Sequence, residues 1–283
     1  MKNAIIDIGS NSVRLLYNNN KYTNNTQLAE NLLTAGILNE KAMERTKDAI
    51  VEFRDYALKL GAKNVYAFAT EAVRSAKNKD VFISMLKDND INIDVIPPEI
   101  EGLLGFLGCY NEPDDKLIAV LDVGGASSEL TVGNSKGIIY THSMPLGTVR
   151  LKDYSLEYEK EVEFVKNKVK EYGAVPKFTK LIAIGGSAST LCSVYKEMKV
   201  YDPNEVHNFI MTKEMLLNTA LKLFNMPLEE RKTVVGLNPK KYLVAPAGGV
   251  LVTLIMDYLN VTNIQLSEKD NLEGYAIYHN IEI

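Results

Sequence analysis

Two short turns of glycine and serine, each preceded by an aspartate, are the parts of this 283-residue sequence best suited to chemistry. Such a turn between two buried strands exposes several backbone N–H groups, which can bind phosphate oxygens. A carboxylate beside bound phosphate is repulsive unless a cation lies between them, and Mg²⁺ prefers carboxylate, water and phosphate ligands. The pattern therefore predicts phosphate binding with Mg²⁺, although hairpins that need glycine only for the turn are the alternative. The residues are Asp7 with Gly9, Ser10, Asn11 and Ser12, and Asp122 with Gly124, Gly125, Ala126, Ser127 and Ser128.

A third glycine-rich segment, Gly185-Gly186-Ser187, follows a short apolar strand and opens a predicted helix. Its amides could hold an anion at the helix N-terminus. The segment lacks the G-x-G-x-x-G spacing, and no acidic residue in a βαβ unit supports a dinucleotide site. A plain helix N-cap explains the segment equally well, so both interpretations stay open.

Two glutamates and two arginines could complete a phosphate-processing site. Glu101 lies on a predicted helix before a linker, where a cleft between two domains is expected, and it could deprotonate a water for attack on phosphorus. Glu129 lies on the strand after the second turn and faces the same way as Ser127 by the period of two. Arg14 and Arg74 could each bind phosphate through paired guanidinium bonds. A solvated helix carboxylate and surface ion pairs are the corresponding alternatives.

The elements that must position these residues alternate between strands and helices, which indicates the α/β class. The polar segment 18–25 is predicted as a turn, and the chain after the strand at 181–184 is predicted to be largely helical. The other predicted strands are 4–8, 13–17, 64–69, 91–96, 117–123, 137–144 and 263–266, and the predicted helices include 41–60, 80–87, 98–109 and 156–172.

The opening motif recurs 115 residues later, directly after the candidate linker 111–115. An echo at this distance indicates two related halves rather than a short-period repeat. We therefore expect one domain at residues 1–115 and a second at 116–283, whose last helix could pack back on the first. The aligned pairs are Asp7 with Asp122, Gly9 with Gly124, Ser12 with Ser127, and Arg14 with Glu129.

Composition limits the function classes. Hydrophobic residues make up 46% of the chain and charged residues 24%, which excludes disordered and fibrous classes. The net charge of −4 does not indicate a basic surface for binding DNA or RNA, so a polyanion must be held by a local site. The positions of Cys109 and Cys192 match neither a disulfide framework nor a metal-binding pattern. The N-terminal residues leave no room for a signal peptide. The apolar stretch 244–259 is too short for a membrane span. We expect a soluble, cytoplasmic protein without a membrane partner.

Five segments of the sequence together resemble one family, the exopolyphosphatase and guanosine-pentaphosphatase (Ppx/GppA) phosphatases. The segments follow the order of the family's motifs and span almost the whole chain, and Glu273-Gly274 is a further match near its end. They are residues 7–15, 69–78, 121–130, 145–151 and 184–191.

The resemblance implies an α/β fold of the actin/sugar-kinase/Hsp70 type, in which two similar ribonuclease H-like domains with mixed sheets enclose an active-site cleft. It also implies Mg²⁺-dependent hydrolysis of a phosphoanhydride bond, at the end of inorganic polyphosphate or in pppGpp. By position, Glu101 would be the base that activates water, and Asp122 and Glu129 would hold Mg²⁺ or position the nucleophile. Phosphate would be bound by Arg74, by the turn at Gly9–Ser12 and by the turn at Gly124–Ser127.

Three positions depart from the family pattern. Pro98 and Ile100 precede the expected base where the family has glycine and glutamate, Ala126 replaces a glycine of the second turn, and Lys240-Lys241-Tyr242 stands where Arg-Ala-Asp is common. Two other functions therefore stay open, namely a non-catalytic binder of polyphosphate or guanosine polyphosphates and an ATP-using kinase or apyrase-like relative. A homodimer is also left open. The net charge favours short polyphosphates or a nucleotide over long chains.

Overall fold

The structure, a computed structural model, describes residues 2–111, 115–154 and 156–283. The strands β1 to β11 are Ala4–Ile8, Val13–Tyr17, Asn20–Asn24, Val65–Ala69, Asp94–Val95, Ile118–Val123, Ser128–Asn134, Gly137–Met144, Lys180–Ile184, Ile210–Thr212 and Asn263–Leu266. The helices α1 to α13 are Leu32–Ala35, Glu40–Lys59, Glu71–Ser75, Lys79–Lys87, Pro98–Cys109, Thr148–Tyr154, Tyr158–Lys168, Gly186–Tyr195, Pro203–Val206, Lys213–Phe224, Leu228–Arg231, Ala245–Tyr258 and Asn271–Tyr278. A 3-10 helix, Val169–Tyr172, follows α7.

The chain divides into two compact units. Unit 1 comprises Met1–Gly108 and Asn271–Ile283, and unit 2 comprises Cys109–Asp270. The sequence placed one boundary at 115/116, whereas this division breaks the chain at 108/109 and again at 270/271, so that helix α13 belongs to unit 1. The candidate linker 111–115 contains residues 112–114, which lie outside the described residues.

Unit 1 is built on a five-stranded mixed sheet with the order β3-β2-β1-β4-β5. Strand β1 forms an antiparallel hairpin with β2 and pairs in parallel with β4. Every residue of β1 is buried, as expected for a central strand that is covered on both faces. Helices α2 and α13 both pack on β1 and β2, and the ring of Tyr275 on α13 stacks on Phe68 of β4 with 4.7 Å between the ring centroids.

Unit 2 contains a six-stranded sheet with the order β10-β11-β9-β6-β7-β8. The strands β8, β7 and β6 are antiparallel, β9 and β11 continue the sheet in parallel, and β10 is added antiparallel at the edge. The first twelve residues of α12, from Ala245 to Met256, are all buried because this helix packs against α8 and α10. The apolar stretch 244–259 is therefore a core helix. Across the described residues, we find no helix with the length and apolar character needed to span a bilayer.

The two sheets share one strand plan, three antiparallel strands followed by parallel ones. This confirms the expected α/β fold of the actin/sugar-kinase/Hsp70 type, with a ribonuclease H-like mixed sheet in each half. The aligned aspartates occupy equivalent positions, because Asp7 and Asp122 are each the last residue but one of their strand. Their partners across the hairpin are also the aligned residues, Arg14 and Glu129.

Three strands differ from the sequence-based expectations. The segment 18–25, expected as a turn, contains β3; the strand expected at 91–96 is only Asp94–Val95; and β10 lies in a region expected to be largely helical. All three are edge strands of their sheets. An edge strand pairs with only one neighbour, and this pairing determines whether the segment forms a strand. Its own sequence therefore shows little of the hydrophobic pattern of a central strand.

Candidate active site

The first turn, Gly9–Ser12, has its carbonyl groups bound by a neighbouring loop. Its hydrogen bonds are Gly9 N to Ser12 O at 3.0 Å, Ala29 N to Ser10 O at 2.9 Å, and Gln27 N to Asn11 O at 3.0 Å. Among the described residues, no acceptor receives the amides of Ser10, Asn11 or Ser12. Consecutive amides without an acceptor in the protein can bind an anion, so this row suits a phosphate oxygen.

Asp7, which precedes the first turn, is held by an arginine. Arg14 lies directly opposite Asp7 in the β1–β2 pair, and its Nε donates to Asp7 Oδ2 at 3.0 Å while its Nη2 donates to the same oxygen. Only 5% of the Asp7 side chain and 19% of the Arg14 side chain are exposed. Arg14, a candidate phosphate clamp, therefore binds a carboxylate here, and the two charges balance. The role of Asp7 as a metal ligand stays a prediction.

The second turn, Gly124–Ser127, repeats this arrangement in unit 2. Its hydrogen bonds are Gly124 N to Ser127 O at 3.0 Å, Thr148 N to Gly124 O at 3.0 Å, and Val149 N to Gly125 O at 2.8 Å. The amides of Gly125, Ala126 and Ser127 reach no acceptor in the part of the chain that the structure describes. Ala126 is 1% exposed, so its extra methyl group is packed inside the protein. The second turn thus also offers a row of amides to an anion.

Two carboxylates lie side by side at the second turn. Asp122 on β6 lies directly opposite Glu129 on β7, so both side chains project from the same face of the sheet. Cβ atoms of such directly opposed residues are about 4.5–5.5 Å apart. Glu129 is buried, and Ser143 on β8 donates its hydroxyl to Glu129 Oε1 at 2.6 Å. Two carboxylates on neighbouring strands are a donor pair that a divalent cation can bind.

The donor set of the second turn fits Mg²⁺. This ion binds proteins through one or two carboxylates and completes its octahedral shell with water and substrate phosphates. Asp122 and Glu129 supply two carboxylates next to a row of amides suited to phosphate. Within the described ranges there is no group of three or more histidine, cysteine, aspartate or glutamate side chains that could hold a metal ion. A structural zinc site, which takes four protein ligands, therefore does not fit these residues.

The third segment, Gly185-Gly186-Ser187, begins helix α8 at the end of β9. Gly185 has a φ of +82°, and a Cβ there would lie 2.5 Å from Asp122 Oδ1, so this position requires glycine. The Ser187 hydroxyl donates to the carbonyl of Val123 at 2.7 Å and ties α8 to β6. No side chain among the described residues caps α8. The first amides of the helix therefore need acceptors from outside it, which suits an anion better than a side-chain cap.

A lysine lies at the same end of helix α8. Lys241 Nζ is 3.3 Å from the carbonyl oxygen of Gly186 and 3.2 Å from Thr190 Oγ1. Lys241 thus adds a positive charge at the N-terminal end of α8, where the helix dipole is also positive. Sequence reasoning singled out Lys241 only as a departure from a family pattern, and the structure adds its position at the start of α8.

Glu101 and Arg74 form an ion pair inside unit 1. Arg74 Nη1 donates to Glu101 Oε2 at 3.0 Å and to the carbonyl of Ile96 at 2.6 Å, and Nη2 donates to Glu71 Oε2 at 2.8 Å. Only 7% of the Glu101 side chain is exposed. Arg74, a candidate phosphate clamp, is thus engaged by two carboxylates and one carbonyl, and this arrangement fixes the position of Glu101. Whether Arg74 also contacts phosphate stays a prediction.

Helix α5 carries Glu101 in its first turn. Pro98 is the first residue of this helix, a position where the missing N–H of proline has no cost. Ile100 packs against the hydrophobic cluster that includes Leu104. Helix α13 approaches α5 so closely that a Cβ on Gly274 would overlap the carbonyl of Leu104. The departures at Pro98 and Ile100 are therefore compatible with the helix that positions Glu101.

Three residues of these sites were not assigned a role from the sequence. Glu71 binds Arg74, and its signal was the spacing of three residues on one helix. Ser143 binds Glu129, which only the pairing of β7 with β8 reveals. Gly147 packs on the second turn, and it was visible in the sequence only as part of the motif at 145–151.

The fold defines a two-domain, actin-like protein in which each unit carries a turn with a row of amides suited to an anion. The chain belongs to the Ppx/GppA phosphatase family, whose family profile matches residues 5–278. The match confirms the resemblance drawn from the five sequence segments.

Several known proteins resemble the chain along nearly its whole length. The bifunctional 3-dehydroquinate synthase/phosphatase of Fusobacterium nucleatum is 32% identical, over 99% of this chain and 46% of that protein. Exopolyphosphatase 2 of Mycobacterium tuberculosis is 25% identical, over 97% of both chains. The crystal structure of the Aquifex aeolicus member of the Ppx/GppA family matches with a TM-score of 0.80 at 25% identity, over 99% of this chain and 97% of that one. The chain therefore spans less than half of the first relative and nearly all of the second.

Proposed function

We propose that this protein is a phosphohydrolase that removes the terminal phosphate from inorganic polyphosphate or from a guanosine polyphosphate such as pppGpp. The observation that carries the proposal is the second turn, where amides suited to phosphate lie beside the carboxylates of Asp122 and Glu129. Phosphoryl transfer depends on positioning and charge neutralisation more than on covalent help from the protein. The amides of the second turn would position the phosphate, and a cation held by Asp122 and Glu129 would neutralise its charge.

In this proposal Glu101 is the general base. Arg74 holds Glu101 Oε2 at 3.0 Å, and Glu71 and the carbonyl of Ile96 in turn hold Arg74. A carboxylate fixed in this way can accept a proton from a water molecule while the water oxygen attacks the terminal phosphorus. The bond from that phosphorus to its bridging oxygen breaks, and the shortened phosphate chain leaves with the electron pair. Arg74 acts as a positioning residue for Glu101.

The residues of unit 2 are proposed to bind the phosphate chain of the substrate. The amides of Gly125, Ala126 and Ser127 orient the transferred phosphate, and Ser143 fixes the carboxylate of Glu129. Mg²⁺, when bound by Asp122 and Glu129, would neutralise charge on the phosphate oxygens. The start of α8 and Lys241 bind a further phosphate of the chain, since both favour an anion at that point.

Inorganic polyphosphate is the first candidate substrate. Exopolyphosphatase 2 of Mycobacterium tuberculosis, whose match covers 97% of both chains, is named for this activity. The net charge of −4 argues against a long basic channel, so short chains fit better than long ones. A guanosine polyphosphate carries the same terminal phosphoanhydride chemistry and is the second candidate.

Phosphate release from polyphosphate, pppGpp and ATP, each with Mg²⁺ and with a chelator, tests the proposal. Glu101→Gln should lower the rate by about 10²- to 10⁴-fold, the usual contribution of a general base. Glu99→Gln is the matched control because Glu99 is exposed and lies two residues earlier on the same helix, so its activity should equal that of the wild type.

Three results would contradict parts of this proposal. Full activity in Glu101→Gln would show that another group activates the water. Faster phosphate release from ATP than from polyphosphate or pppGpp would favour the apyrase-like alternative. Saturable binding of polyphosphate in calorimetry with no phosphate released over hours would favour a non-catalytic binder.

A further inference from the structure

We infer that Gly147, together with the start of helix α6, is a positioning element that aims the amides of the second turn at the substrate phosphate. The inference rests on the proposed phosphate-binding role of that turn. It concerns the loop between β8 and α6, which contacts the turn on the side of its carbonyl groups. Neither the sequence motifs nor the site chemistry described above gives this loop a role.

The first step of the argument is the set of contacts between α6 and the turn. The amide of Thr148 donates to the carbonyl of Gly124 at 3.0 Å, and the amide of Val149 donates to the carbonyl of Gly125 at 2.8 Å. The amide of Arg150 adds a longer bond to the same Gly125 carbonyl at 3.3 Å. The first three residues of α6 thus direct their otherwise unused N–H groups at two successive carbonyls of the turn.

The second step follows from the planarity of the peptide bond. In a trans peptide the C=O and the next N–H point in opposite directions. Because α6 binds the carbonyls of Gly124 and Gly125, the amides of Gly125 and Ala126 must point away from α6. These are two of the three amides that reach no acceptor in the described chain. Helix α6 therefore decides the direction in which the turn presents them.

The third step is the requirement for glycine at position 147. A Cβ there would lie 2.5 Å from the carbonyl carbon of Gly125 and 2.6 Å from the carbonyl oxygens of Gly124 and Gly125. All of these atoms belong to the backbone of the turn, so no side-chain rotation could relieve the contact. Any side chain at 147 must push α6 and the turn apart and lengthen the bonds that fix the two peptide planes.

Two substitutions at Thr148 separate the hydrogen bond from the packing. Thr148 is the first residue of α6, where proline fits the helical backbone. Thr148→Pro removes the N–H that donates to the carbonyl of Gly124, whereas Thr148→Ala keeps it. Both variants lose the buried threonine side chain. Gly249→Ala is the control for a steric clash in the same unit, because its Cβ would collide with Ala220 in the contact between α12 and α10, away from the turn.

The experiment measures the affinity for inorganic phosphate with Mg²⁺ by calorimetry, the kcat and KM for tripolyphosphate, and the melting temperature. Gly147→Ala and Thr148→Pro should weaken phosphate binding about tenfold and lower kcat/KM by about 10²-fold, the usual loss for one oriented oxyanion donor. Thr148→Ala, which keeps the backbone N–H, should lose clearly less phosphate affinity and less kcat/KM than Thr148→Pro. Gly249→Ala should lower the melting temperature and leave phosphate affinity unchanged.

The inference would be overturned if Thr148→Pro and Thr148→Ala had equal phosphate affinity, or if Gly147→Ala changed only the melting temperature. Failure of the proposed function looks different. A wild type that binds phosphate but hydrolyses none of the offered substrates refutes the phosphohydrolase, and the calorimetric comparison still decides the role of Gly147. A wild type that binds no phosphate refutes the inference as well.

Discussion

The first and second turns use the same backbone construction in the two units. Each is closed by a bond of 3.0 Å from its first amide to its fourth carbonyl, Gly9 to Ser12 and Gly124 to Ser127. In each, two successive carbonyls are bound by amides of another segment, and among the described residues the following amides reach no acceptor. Each unit therefore contains one turn whose backbone amides suit a phosphate group.

The charges beside the two turns differ. Asp7 faces Arg14 across its hairpin, whereas Asp122 faces Glu129 at the equivalent position. The first turn therefore lies beside a neutral ion pair, and the second lies beside two carboxylates. The aligned positions therefore carry opposite charges, arginine beside the first turn and glutamate beside the second.

The supports of the two turns differ as well. The first is held by the loop at Gln27–Ala29, in which Gln27 has a φ of +54°. The second is held by the start of helix α6, against which Gly147 packs without a side chain. A helix presents its first amides in a fixed geometry, so the second turn is the more rigidly aimed of the two.

The largest expected effect comes from breaking the ion pair at the first turn. Arg14→Met leaves the buried carboxylate of Asp7 without its partner arginine, and removing one partner of a buried pair typically costs about 3–5 kcal/mol in the free energy of unfolding. Urea denaturation measures this loss. The double substitution Asp7→Asn with Arg14→Met should recover part of it because the orphaned charge is then removed as well.

The control for this prediction is Lys47→Met, which breaks an ion pair on the surface of helix α2 with Glu44, whose side chain is 51% exposed. Surface pairs contribute about 0–1 kcal/mol, so this variant should stay close to the wild type. Equal destabilisation by Arg14→Met and Lys47→Met would show that the Asp7–Arg14 pair is no stronger than a surface pair.

The next effect is a pH dependence of the free energy of unfolding. It arises from Glu161, a buried carboxylate of unit 2 that is separate from the pair at the second turn. Burial raises the pKa of Glu161 on α7 from 4.5 to about 7. The folded protein therefore keeps a proton that the unfolded chain loses, and stability falls as the pH rises from about 4.5 to 7, by about 3 kcal/mol in total. Above pH 7 this contribution is constant.

Glu161→Gln should remove most of this decline when urea unfolding is measured at several pH values between 5 and 8. Glu163→Gln, at an exposed position two residues further along the same helix, should keep the wild-type slope. A slope that persists in Glu161→Gln would assign the decline to other groups.

The smallest expected effect is the repulsion at the second turn. Glu129→Gln keeps an oxygen that can accept the Ser143 hydrogen bond and removes one of two adjacent charges, so the melting temperature in a chelator should rise slightly, by the equivalent of about 0.2–1 kcal/mol. The stabilisation by Mg²⁺ should disappear, since a ligand stabilises only a state that binds it.

The comparison between the turns gives the control for Glu129→Gln. Asp7→Asn should lower stability both with and without Mg²⁺, because it removes the charge that binds Arg14, and a Mg²⁺-dependent rise in melting temperature that persists in this variant would exclude Asp7 as a metal ligand. Loss of that rise in Asp7→Asn and its persistence in Glu129→Gln would place the cation at the first turn.

Much of the architecture followed from local sequence signals. Short apolar runs ending in glycine and serine predicted β1, β2 and β6, and the helical spacing at 41–60 predicted α2, which spans Glu40–Lys59. The echo at 115 residues predicted two related sheets, which share one strand plan. The edge strands β3 and β10 escaped prediction because nothing in their own residues fixes their partners.

The sequence by itself determined which residues could do chemistry and that they occur in two related sets, because a turn and its flanking strand are local features. Only the tertiary structure decided their partners. It placed Arg14 on Asp7, Arg74 on Glu101, and α6 against the second turn. The two side-chain pairs join residues that lie 7 and 27 positions apart in the chain. Strand register and helix packing set them, and no local pattern of charge or hydropathy encodes either.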